Sequence, residues 1–186
     1  MGGRFIAVVG PSGVGKDTVM QALVAADARL GLVRRVITRP AEAGGEDFVG
    51  ATEADFAKRE AAGEFALSWP AHGLRYGIPN SVRADLDAGR ILLANLSRKR
   101  LTEAAAAFPG MLVLNLTAAP EVLAARLAAR GRETEEDIAK RLTRRVALPE
   151  GLDVLTLDNG GDLEDTVRAA LSHIFADRAL DTPEHA

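Results

Sequence analysis

The stretch Val8–Thr18, VVGPSGVGKDT, decides the reading of this chain. Gly10, Gly15 and Lys16 satisfy the spacing G-x-x-x-x-G-K of a phosphate-binding loop. Glycines there let the backbone turn tightly, so that successive N–H groups point inward at a phosphate. A helix beginning at Lys16 adds the partial positive charge of its N-terminus, and the lysine adds a full charge. The apolar run Phe5–Val9 leads in as a strand, which is the context the motif requires. Gly10, Pro11, Ser12, Gly13, Val14, Gly15, Lys16, Asp17 and Thr18 are therefore the expected polyphosphate-binding segment.

Asp17 stands where such loops usually offer magnesium a hydroxyl. A carboxylate is a harder, charged oxygen ligand, which magnesium accepts directly or through water. Beside Lys16 and a polyphosphate it is tolerable when the metal's charge is present. The blander alternative is an aspartate that only complements the helix dipole, and Thr18 offers a hydroxyl one residue out of register.

Outward from this loop, Ile91–Ala94, Met111–Leu116 and Val154–Leu157 are further apolar runs of strand length. Helical patterns over Lys16–Ala26, Arg98–Phe108, Pro120–Arg130 and Leu163–Ala176 alternate with them. Strands apolar on both faces, alternating with helices, predict an α/β fold with a parallel sheet flanked by helices. Two polar segments interrupt the alternation. Residues 34–86 are glycine-rich, with a short helix after the capping pair Thr52 and Asp55; residues 126–145 are crowded with arginine, with a second capping pair at Thr134 and Asp137. No repeat or linker divides the 186 residues, so one domain spanning 1–186 is expected.

The composition, 47% hydrophobic and 26% charged with net charge −3, is that of a soluble globular protein without a basic patch for nucleic acid or an acidic membrane. Zero cysteines exclude disulfides and thiolate metal sites and fit a reducing cytoplasm. A strand starting at Phe5 leaves no room for a leader, and the longest apolar run, Ala104–Leu114, is broken by Pro109 and Gly110. A cytoplasmic location follows as the expectation.

With these motifs in order, the chain resembles the guanylate kinase family. GPSGVGKDT resembles its phosphate loop, VITRPAEAGGEDF and GEFALSWPAHGLRYGIP its acceptor-binding region, and RLAARGRETEEDIAKRL its arginine-bearing lid. The resemblance implies a P-loop kinase fold with an acceptor-binding insertion over about 34–86 and a lid over about 126–145. It implies ATP as phosphoryl donor with Mg2+, and small molecules as the only substrates, with a homodimer left open. Lys16, Arg39, Arg126, Arg130 and Arg141 would be catalytic, and Arg39 and Tyr76 would hold the acceptor phosphate. Arg126 and Arg130, four apart on one helix, can reach one ligand, and forked guanidiniums suit the spreading charge of phosphoryl transfer. Arg132 and Arg145 read instead as solvated partners of Glu133, Glu135 and Glu136.

The departures bear on the acceptor. A second arginine expected after Arg39 is replaced by Ala41-Glu42, and a tyrosine expected after Asp47 is Phe48. The carboxylates expected to read a guanine edge fall at Leu67–Ser68 and at Asn95 or Ser97. Guanine donors left without acceptors cost discrimination heavily. The resemblance is closest to a branch whose loop ends in GKD and whose acceptor is ribose 1,5-bisphosphate, converted to 5-phosphoribosyl 1-diphosphate in phosphonate breakdown. Arg75 offers a second phosphate contact. Glu46 and Asp47 either accept from sugar hydroxyls or simply end the Gly44-Gly45 turn, and Trp69 either stacks on a ligand or packs. His72 reads as a solvated loop histidine, because an acceptor phosphate already ionised at neutral pH needs no general base.

Lys16→Ala is expected to abolish phosphoryl transfer and leave the fold intact, since the position supplies charge rather than packing. Circular dichroism and a magnesium-dependent ATP turnover assay check it, and near-normal turnover in a folded variant would refute the phosphate-loop assignment.

Overall fold

The computed structural model describes residues 2–40, 47–129 and 147–176. Among these, β1 (Arg4–Val9), β2 (Leu30–Leu32), β7 (Ile91–Asn95), β8 (Leu112–Thr117) and β9 (Asp153–Asp158) form a sheet in the order β2-β7-β1-β8-β9. Every pairing in it is parallel. β1 is apolar without alternation because both its faces are covered. Ile6 and Val8 join a core with Val19, Met20 and Leu23 of α1 (Lys16–Ala26) and Ala170 and Ile174 of α6 (Leu163–Ala176). Phe5, Ala7 and Val9 join the opposite core with Leu101, Ala104 and Phe108 around α4 (Leu101–Ala107). The Phe5 and Phe108 rings stack there at 4.0 Å.

The strands and helices expected from the apolar runs are present with their boundaries moved by a residue or so. The run expected as a helix from Arg98 opens as a 3-10 turn, Arg98–Arg100, before α4 takes over. β2 went unread because three residues carry too little pattern to separate a strand from a loop.

The insertion differs from expectation more. It holds a second sheet, in the order β4-β3-β6-β5, from β3 (Arg35–Ile37), β4 (Phe48–Gly50), β5 (Phe65–Ala71) and β6 (Leu74–Pro79). β5 and β6 form a hairpin closed by His72 and Gly73, with φ of 53° and 72°; two consecutive positive φ values make the tight turn that matches strand twist. This gives exposed His72 a turn position. α2 (Glu53–Ala61) starts as expected: the Asp55 amide donates to Thr52 Oγ1 at 3.1 Å, and the hydroxyl in turn donates to Asp55 Oδ2 at 2.7 Å. α3 (Val82–Asp87) and α5 (Pro120–Ala129) complete the described helices. The capping pair Thr134 and Asp137, and nearly all of the expected lid, lie outside the described residues.

Two contacts tie the insertion down. Trp69 and Ile78 are buried in the same core as Val9 and Ala94, so the second sheet shares an interior with the first. On its other side Phe56 of α2 is fully buried against the Phe65 ring at 4.6 Å, with the Arg75 guanidinium over its face at 4.7 Å. Phe56→Ala removes that stack and leaves a cavity, so it is expected to cost about 3–5 kcal/mol. Urea unfolding measures it as a lowered midpoint at unchanged slope.

Candidate active site

The phosphate loop leaves the C-terminal end of β1, the central strand, between β7 and β8; this is where open parallel sheets bind ligands. Its glycines are demanded by neighbours as well as by torsion. A Cβ on Gly10 would lie 2.6 Å from the Leu116 carbonyl oxygen. One on Gly13, at φ +85°, would lie 3.0 Å from Leu127 of α5. The loop is therefore clamped between β8 and the arginine-bearing helix. Gly15 is the N-cap of α1 and carries no side-chain cap, so the helix start is set up for an anion. Lys16 Nζ curls back to donate to the carbonyls of Gly10, at 3.1 Å, and Pro11, at 3.3 Å, which holds the ammonium over the loop.

Two side chains distant in sequence fasten the loop from outside. Val14 is fully buried, and its carbonyl oxygen accepts from Asn159 Nδ2 at 2.7 Å and from Arg126 Nη1 at 3.3 Å. Asn159 is itself buried, and its backbone N–H donates to the Thr117 carbonyl at 2.7 Å. Arg126 thus already sits on the loop. Arg130 and Arg141, expected beside it, lie outside the described residues, as does Glu46.

Asp17 is exposed at the start of α1, and its Oδ1 accepts from Asn95 Nδ2 at 3.0 Å. A cavity of about 50 Å3 opens beside the pair, lined also by Gln21, Arg34 and Asp47 and floored by Met20, Leu32, Val33 and Leu93. Asp47 forms an ion pair with Arg34 at 2.9 Å, both side chains mostly exposed. Among the described residues no group of three or more histidines, aspartates or glutamates is placed to hold a metal. One carboxylate, with Thr18 next to it in the chain, nevertheless fits magnesium, an oxygen-seeking ion that completes its shell with water and substrate phosphates.

The acceptor residues divide between the faces of the insertion sheet, because neighbours on a strand point opposite ways. Tyr76 stacks on Trp69, with ring centroids 5.5 Å apart, on the side facing the parallel sheet. Arg35, buried, lies 5.3 Å over the Tyr76 ring, and its Nη1 donates to the Asn95 carbonyl at 2.8 Å. Arg75, one residue away, turns to α2 and pairs with Glu60. The Ser68 hydroxyl, then the Arg75 guanidinium, hold the Glu60 carboxyl below its ordinary range. Arg39 lies with its guanidinium 4.3 Å over the Phe48 ring, so the residue that lacks the expected phenol still supports the arginine.

Asn115, Asn159 and Arg35 escaped the sequence reading, and Asn95 entered it only as the place of an expected carboxylate. Asn95 and Asn115 end β7 and sit on β8 in register with Val8 and Val9, immediately before the loop. Asn115, buried, accepts from Arg98 Nη2 at 2.9 Å and donates to Thr156 at 3.1 Å. Asn159 lies in LDNGGD, which signals a turn but not a target. The buried partner in Arg34-Arg35 required the sheet to be known.

No protein-family model matches the chain. Among known proteins it is 51% identical over 179 residues to ribose 1,5-bisphosphate phosphokinase PhnN of a Ruegeria species, covering 95% of this chain and 94% of the relative. It is 46% identical over 176 residues to the Brucella melitensis protein of the same name, covering 92% of each. A crystal structure of guanylate kinase from Anaplasma phagocytophilum superimposes with a TM-score of 0.71 at 19% identity, over 97% of this chain and 88% of that one, a likeness of fold.

Asn159→Ala removes the shorter of the two side-chain hydrogen bonds to the buried Val14 carbonyl. The expected result is a loss of about 1–3 kcal/mol of stability together with weaker ATP binding. Thermal unfolding with and without ATP, and nucleotide titration calorimetry, measure the two effects.

Proposed function

The chain belongs to the ribose 1,5-bisphosphate phosphokinase family, and on that premise we propose that it transfers the γ-phosphoryl group of ATP to the 1-phosphate of ribose 1,5-bisphosphate. The products are 5-phosphoribosyl 1-diphosphate and ADP. An oxygen of the acceptor phosphate forms the new bond to the γ-phosphorus while the bond to the β,γ-bridging oxygen breaks and leaves with ADP. The acceptor's second pKa lies at about 6, so its nucleophilic oxygen is already ionised at neutral pH.

Each residue then has a task of position or charge. The loop Gly10–Thr18 cradles the donor phosphates, and Lys16 swings from the loop carbonyls to the transferring group. Asp17 would hold magnesium, which would supply positive charge against the donor phosphates. Arg126, joined by Arg130 and Arg141, meets the charge that develops on the transferring oxygens. Arg39 and Tyr76 hold the acceptor phosphate, with Glu46 and Asp47 toward the sugar hydroxyls. Arg75 stands on the far face of its strand, and a second phosphate falls to it when its pair with Glu60 opens. Closure of the arginine lid excludes water and so suppresses ATP hydrolysis.

The observation that supports this acceptor over a nucleotide is the neutral lining where a guanine edge needs carboxylates. Leu67, Ser68, Asn95 and Ser97 occupy those places; Ser68 already donates to Glu60 and Asn95 to Asp17. Among the described residues no helix is long and apolar enough to cross a membrane, and we place the enzyme in the cytoplasm as a single kinase domain acting on small molecules.

With purified protein, ATP and magnesium, ribose 1,5-bisphosphate is expected to be phosphorylated and GMP to be used several hundredfold less well or worse. That ratio follows from roughly 1–3 kcal/mol for each of two unpaired groups. The formation of phosphoribosyl diphosphate and GDP, followed separately, decides it; faster GDP formation would make the protein a guanylate kinase.

A further inference from the structure

Asp17 projects from an exposed helix start, where an aspartate is free to choose among rotamers. An ionised carboxylate only accepts hydrogen bonds, so what restrains it must donate. The donor here is the Asn95 amide, at 3.0 Å. Asn95 can impose an orientation because its own backbone is fixed on three sides. It is in register with Val8 of β1, its carbonyl accepts from buried Arg35 at 2.8 Å, and the next N–H, of Leu96, donates to the Val8 carbonyl at 3.0 Å. A strand end held by backbone hydrogen bonds thus carries a donor aimed at a carboxylate on an exposed helix start.

We propose that Asn95 is a positioning residue for Asp17: its amide occupies Oδ1 and leaves Oδ2 turned to the magnesium of the donor nucleotide. A loop that ends in aspartate then requires a neutral donor at position 95. A carboxylate there would meet Asp17 across 3.0 Å as a like charge. This rests on the reading above that Asp17 serves the metal. It assigns Asn95 to the donor half of the reaction, although it stands beside the acceptor sheet.

The test is a double-mutant cycle of Asn95→Leu, Asp17→Asn and the two together. Calorimetry measures binding of ATP with and without magnesium, and kinetics measures kcat, acceptor KM and the magnesium requirement. Leucine keeps the branched shape and removes the donor, and the Arg35 bond is made to the backbone carbonyl, which the substitution leaves in place. A hydrogen bond to a charged group is worth about tenfold or more. Asn95→Leu is therefore expected to weaken ATP binding in magnesium, raise the magnesium requirement and lower kcat, each by about tenfold. Affinity for magnesium-free ATP and the acceptor KM should stay within about twofold. Asp17→Asn should give the same signature, and Asn95→Leu should then cost nothing more in its presence.

If the Asn95→Leu cost persists in full on the Asp17→Asn background, or falls on acceptor KM with the magnesium titration unchanged, the positioning role is refuted. If Asp17→Asn itself leaves the magnesium titration unchanged, the metal role of Asp17 is refuted, and the inference with it. Asn95→Ser, too short to reach Asp17, carries the same cycle should the leucine variant not fold.

Discussion

Everything in the donor half hangs on one buried oxygen. The Val14 carbonyl sits at the turn of the phosphate loop, where its own loop offers no N–H to satisfy it through regular structure. Asn159, arriving after β9, and Arg126, on α5, both donate to it. An unsatisfied buried carbonyl would cost about 1–3 kcal/mol, so the loop's shape is favoured by packing of the β8–α5–β9 part of the chain against it. The loop is not an ornament on a finished scaffold but the place where distant parts of the chain are stitched.

The second sheet is joined to this assembly by two different means. Its apolar side merges with the main core through Trp69 and Ile78, and its polar side is clasped by α2 through Phe56 and the Glu60–Arg75 pair. The insertion is held like a plate gripped on both faces. Arg35 then crosses from this plate to the end of β7, so the acceptor sheet touches the strand that addresses Asp17.

The parallel core was legible in the sequence because burial on both faces writes uninterrupted apolar runs, and the phosphate loop because its glycine spacing has no other common use. The insertion was not legible as a sheet: its strands are short, half-buried and rich in charge, so their alternation is masked by residues such as Arg35 and Arg75. Lys16 was expected from the loop spacing, and Arg39 and Tyr76 from the family resemblance. The roles of Asn95, Asn115 and Asn159 were missed since a side-chain amide becomes meaningful only when its partner is known, and their partners lie between 17 and 145 residues away. The neighbours Arg75 and Tyr76 look like a pair in a string of letters, and strand geometry separates them.

The stacking of Trp69 on Tyr76 has an optical consequence. The chain contains one tryptophan, and it is buried in the acceptor sheet, its indole parallel to a residue proposed to touch the acceptor phosphate. Intrinsic tryptophan emission therefore comes from a single spot, beside the residue proposed to touch the acceptor. On the proposed placement of the acceptor, this makes Trp69 a native reporter that separates events at the sugar phosphate from events at the nucleotide, without any label being added.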